Sequence, residues 1–115
     1  MTAYEQVYPR EYLEGIAQFN AGRYYDAHET WEAIWLRSAG ETRLFYQALI
    51  QAAVALYHHE RGNPHGTRAL YERACEKLQR LPAQLMSLDV REFERQFKTF
   101  FAVSGDSPRP LIRLD

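Results

Sequence analysis

The chain has 115 residues, enough for one domain with a sizeable core but too few for a catalytic domain and a separate binding domain. Hydrophobic residues make up 46% and charged residues 25%, close to globular averages, so a disordered body is excluded. Fourteen Lys and Arg against fifteen Asp and Glu leave a net charge of -1, without the basic footprint of a nonspecific nucleic-acid binder. The expectation is a single helical domain over 1–115 with no nucleic-acid partner.

Cys75 is the one cysteine, so an intramolecular disulfide is excluded and a reducing compartment fits. Met1 to Arg10 carries no apolar core of signal-peptide length. The longest nearly apolar run, Leu44 to Tyr57, is interrupted by Gln47 and Gln51 and is too short to span a bilayer. These features predict a cytoplasmic protein with no membrane partner.

In chain order, Pro9 suits the first position of a helix that carries Tyr12, Leu13, Ile16 and Phe19 at helical spacing and stops near Asn20-Ala21-Gly22. A second helix is predicted from about Tyr24 to Leu36, with Tyr24, Ala27, His28, Trp31, Ile34 and Trp35 on its inward stripe. The third, about Glu41 to Arg61, is apolar nearly all round, as a helix enclosed by neighbours must be. Gly62-Asn63-Pro64 ends it. A fourth follows from about His65 to Leu81, with Leu70, Tyr71, Ala74, Leu78 and Leu81 inward, before Pro82 breaks it. Asp89 can cap a fifth, whose stripe of Val90, Phe93, Phe97, Phe100 and Phe101 is the cleanest helical pattern in the chain. From Ser104 onward Gly105, Pro108 and Pro110 predict an extended tail that folds back over the bundle. The fold class is therefore all-α, a compact bundle of about five helices with an extended C-terminal tail.

Setting Gly22 against Gly62 exposes a weak internal repeat of forty residues, with Trp31 opposite Tyr71 and Glu32 opposite Glu72. It suggests two helical hairpins resembling tetratricopeptide units, although solenoid repeats usually need three or more copies to close a core.

Chemistry concentrates between Phe19 and Trp35. His28 falls on the inward stripe, with Glu29 and Glu32 along its edge. On the third helix Gln47, Gln51 and His58 share a side at spacings of four and seven, and a buried amide without partners costs about 1–3 kcal/mol. If the second and third helices pack with these groups facing one another, His28, Glu29, Glu32, Gln51 and His58 form one network beside Trp35. Either the network fixes helix register or it lines a pocket for a small ligand or a metal.

His28-Glu29-Thr30-Trp31-Glu32 opens like a zinc-protease motif but has Glu where the second histidine belongs, and no Glu is followed three residues later by His, as a ferritin-like di-iron site requires. A set of His28, Glu32 and His58 would still suit a divalent metal such as zinc, or iron. His59 and His65 flank the Gly62 turn as surface residues, and Cys75 reads as a small core residue. Phosphate loops and nucleophile elbows are absent from the sequence.

Phe19-Asn20-x-Gly22-x-Tyr24-x-x-Ala27-His28-Glu29-x-x-Glu32-x-x-Trp35, Phe45-x-x-Ala48-Leu49-Ile50-Gln51, then His58 and Gly62-Asn63-x-x-Gly66 together resemble the bacterial and archaeal family called domain of unknown function 309. The resemblance runs from about Tyr12 to Leu81. It implies a compact helical bundle whose signature comes from the second and third helices, with glycine expected where Ala48 stands, and it implies no activity. Two functions compete. In one, the cluster binds a small ligand or metal. In the other, the chain is a non-catalytic protein-interaction module whose polar cluster only aligns helices. A homo-oligomer through the phenylalanine face is compatible with both.

Overall fold

Pro9, with φ -58° and ψ 145°, stands as the N-cap of the first long helix, which begins at Arg10, one residue after the predicted start. It follows a single turn, α1 (Tyr4–Val7), and introduces α2 (Arg10–Asn20), α3 (Tyr24–Trp35), α4 (Gly40–Glu60) and α5 (Pro64–Arg80). A two-stranded hairpin, β1 (Gln84–Leu85) and β2 (Leu88–Asp89), then leads into α6 (Val90–Ala102). The computed structural model describes residues 3–103 and 107–115, so the start of the predicted tail, 104–106, lies outside the described residues.

The forty-residue repeat is structural. Gly22 (φ +80°) turns α2 into α3, and Gly62 (φ +68°) turns α4 into α5, each in the left-handed region that a Cβ disfavours. The result is two stacked helical hairpins. The Asn63 side chain accepts from the Gly66 N–H (3.1 Å) to cap α5, and the Asp89 side chain accepts from the Glu92 N–H (3.0 Å) to cap α6.

The core lies between the hairpins. Phe45, Ala48, Leu49, Ala52, Ala53 and Leu56 bury the middle of α4, where Gln47, Gln51 and Val54 are half-buried. Tyr12 meets Phe45 and Tyr46 from α2, and Phe19 meets Phe93 from α6. Trp31, fully buried, presses its indole onto Gly15, where a Cβ would stand 2.1 Å from Nε1. That nitrogen donates to the Tyr12 carbonyl at 3.3 Å. Leu70 and Tyr71 of the predicted α5 stripe are half-buried, with Ala74 and Leu78 the buried pair on that helix.

Two features depart from the sequence reading. The six helices among the described residues include the short α1, and the segment after Pro82 pairs as an antiparallel hairpin, Leu85 opposite Leu88. Its two-residue turn, Met86 (φ +50°) and Ser87 (φ +63°), lacks the Asn-Gly pair that normally signals such a turn. Tertiary hydrogen bonds hold it instead. The Tyr12 hydroxyl donates to the Met86 carbonyl (3.1 Å), the Tyr8 and Ser87 hydroxyls pair at 2.6 Å, and the Asp115 N–H donates to the Ser87 carbonyl (2.8 Å).

The tail from Ser107 folds back as an extended strap. Asn20 clamps it at two points, donating to the Ile112 carbonyl and accepting from the Ile112 N–H, both at 2.8 Å. Gln96 accepts from the Leu111 N–H at 3.0 Å, and Leu114 bridges to Leu88. Among the described residues no helix is long and apolar enough to cross a membrane.

Candidate functional site

The inward face of α3 is Tyr24, Ala27, Trp31 and Ile34, all buried. His28 and Trp35, expected on that face, are half-buried at its edge, because α2 occupies the side that Trp31 fills. Glu29 and Glu32 are exposed. One face of α3 therefore builds the core, and the adjoining one presents the His-Glu residues outward.

His28 Nδ1 lies 3.2 Å from the Tyr25 carbonyl, and Nε2 lies 3.5 Å from Glu32 Oε2. Both ring nitrogens therefore face oxygen atoms. A metal at Nε2 would have to displace or share the Glu32 carboxylate.

Around His28 runs a row of rings. Tyr25, 49% exposed, packs on His28 at 5.2 Å and on Tyr57 at 5.3 Å between centroids, and Tyr57 packs on His58 at 5.8 Å. The Arg61 guanidinium lies 5.4 Å above the Tyr57 ring. The row joins the start of α3 to the end of α4.

The expected single network does not form. His58 turns to the α4–α5 turn, its Nδ1 3.3 Å from the Asn63 amide nitrogen, which donates to it. Its ring covers Gly66, where a Cβ would meet Asn63 Nδ2 at 2.7 Å and His58 Cγ at 2.9 Å. His58, Gly62, Asn63 and Gly66 are thus one turn-building unit. Among the described residues no group of three or more His, Cys, Asp or Glu side chains is placed to hold a metal, so His28, Glu32 and His58 are not gathered into a ligand set.

Gln51 Oε1 is buried without a hydrogen-bond partner, and so is Trp35 Nε1. The Arg43 guanidinium lies 4.0 Å over the Trp35 ring and donates to the Trp35 (3.2 Å) and Ser38 (3.3 Å) carbonyls, closing the end of α3. Sequence reasoning missed Arg43, Tyr25 and Tyr57. The available signal was spacing, since Tyr25 lies one turn before His28 on the same face.

Cys75 is half-buried, and burial pushes its thiol up, away from the reactive thiolate. His59 is exposed but sets its ring edge-on against Phe100 and Phe101, while His65 is exposed.

Two stacked helical hairpins with an outward His-Glu face define an all-α helical-bundle protein. The chain belongs to the family described as a domain of unknown function (DUF309), whose model matches residues 12–70. It is 36% identical over 75 residues to the uncharacterized protein YpuF of Bacillus subtilis (strain 168), a match covering 64% of this chain and 43% of that protein. An uncharacterized protein of Aquifex aeolicus (strain VF5) is 31% identical over 75 residues, covering 64% of this chain and 22% of its own length. The matched region thus spans less than half the length of either curated relative. The fold is similar to the crystal structure of a conserved hypothetical protein, TTHA0068, from Thermus thermophilus, with TM-score 0.71 and 35% identity over 83% of this chain and 98% of that one.

Proposed function

We propose that this chain is a non-catalytic helical interaction module that docks a protein segment on the outward face of α3 and α4. The observation that carries the reading is the division of labour on α3. Tyr24, Ala27, Trp31 and Ile34 do the packing, whereas His28, Glu29 and Glu32 face outward beside an exposed tyrosine. Aromatic and arginine side chains with a polar rim are the composition of interface centres, and Tyr25, Tyr57 and Arg61 supply it. The unpartnered Gln51 and Trp35 atoms add to the case. Each orphan costs about 1–3 kcal/mol, which a partner's backbone could recover after a modest side-chain rotation.

The competing reading places a small ligand or a divalent metal such as zinc on His28 and Glu32, with the Gln51 carbonyl as an added acceptor. Two measurements separate them. Affinity capture with the full chain should recover a defined partner that is lost with Tyr25→Ala and with Glu32→Ala while thermal melting stays within a few degrees of wild type. Equal capture by the variants, or none by wild type, would overturn the docking face. Metal analysis of untagged protein should find no stoichiometric metal. Stoichiometric metal that disappears in His28→Ala would install the metal site instead.

A further inference from the structure

We propose that a groove between the start of α5 and the end of α6 binds a small carboxylate with an aromatic body. It is independent of the α3–α4 face. The groove is open to solvent and offers about 610 Å³, within the range of small-molecule sites. Its floor is Tyr71 and Phe101, which meet edge-on at 5.1 Å, with Tyr71 stacked on Phe97 behind at 5.3 Å. The floor therefore offers ring faces already fixed by packing, to which a planar apolar body can be added at little entropic cost.

The rim supplies the sign of charge. Arg68 and His59 line it together with Asn63 and Pro64 at the N-terminus of the 17-residue α5, and among the described residues its lining contains no Asp or Glu. A cationic side chain favours an anion there. Arg68 is available for it. Its side chain is 84% exposed, and its Glu72 partner is a 3.4 Å pair one turn away on the same helix, a weak and exchangeable contact. Ser107, Pro108 and Arg109 of the tail lie beside Arg95, Gln96 and Thr99 around a separate depression.

Amide chemical shifts of the full chain titrated with 2-naphthoate test the assignment, with 2-naphthalenemethanol as the neutral counterpart. Saturable shifts are expected at Arg68, Tyr71 and Phe101, with the carboxylate binding about two- to fivefold more tightly than the alcohol, the range an exposed ion pair carries. Arg68→Gln, which removes only an exposed side chain, should abolish that preference with melting unchanged. Equal binding of both probes, a preference that survives Arg68→Gln, shifts centred elsewhere or no saturation would each overturn it.

Discussion

Replacing Asn20 with alanine tests whether the C-terminal strap is part of the folded unit. The substitution deletes both 2.8 Å hydrogen bonds to Ile112, a residue only 1% exposed, and leaves its N–H and carbonyl without those partners. A buried polar group so orphaned costs about 1–3 kcal/mol, and partial water access to this half-buried pair lowers each term, so we expect a loss of about 2–3 kcal/mol. For a chain of this size that lowers the melting temperature by roughly 8–12 °C. Asn20→Asp should cost more than Asn20→Ala. It keeps the acceptor for the Ile112 N–H but sets a carboxylate oxygen against the Ile112 carbonyl, at the last residue of α2 where negative charge is disfavoured. Urea unfolding gives the free energies, and hydrogen exchange at the Ile112 amide reports the strap itself. A loss under about 0.5 kcal/mol for Asn20→Ala, with that amide still protected, would show that Gln96 and the Leu88–Leu114 bridge suffice and would refute the clamp.

Gly15→Ala should destabilise by at least about 2 kcal/mol, because the new Cβ would meet the buried Trp31 indole at 2.1 Å; denaturant titration showing a gain would refute the packing account. Gln51→Met, similar in shape, removes a buried acceptor without a partner and should raise stability by about 1 kcal/mol while weakening partner capture, and a loss of stability would mean that Gln51 is satisfied. Hydrogen bonds from Arg95 and Gln96 hold the Glu92 carboxyl down at about 2, below the ordinary carboxylate range. A depressed folded-state value contributes stability that is present above the unfolded value of about 4.3 and is lost as pH falls towards 2. Carbon-13 titration of the Glu92 side chain checks this, and a midpoint above 4 would contradict it.

Much of the fold was legible because its signals are local. The 3.6-residue stripes of α2, α3 and α6, the Asp89 cap and the glycine turns at 22 and 62 each follow from a few neighbouring residues. The β-hairpin was not legible, since Met86 and Ser87 are held in left-handed conformations by Tyr8, Tyr12 and Asp115, which come from distant parts of the chain. The site divides the same way. Helical spacing correctly joined His28 to Glu32, which are one turn apart. It could not place His58, because the rotamer that turns this ring onto Gly66 and Asn63 answers to the turn after α4 rather than to α3.

By itself the sequence determined the helical class, the hairpin repeat and the family, since periodicity, capping and turn chemistry act over a few residues. Only the tertiary structure decided which of those residues meet. A periodic stripe specifies that a face is buried without specifying against what. Here α2 takes the Trp31 side of α3 through Gly15, which leaves His28 and both glutamates looking outward.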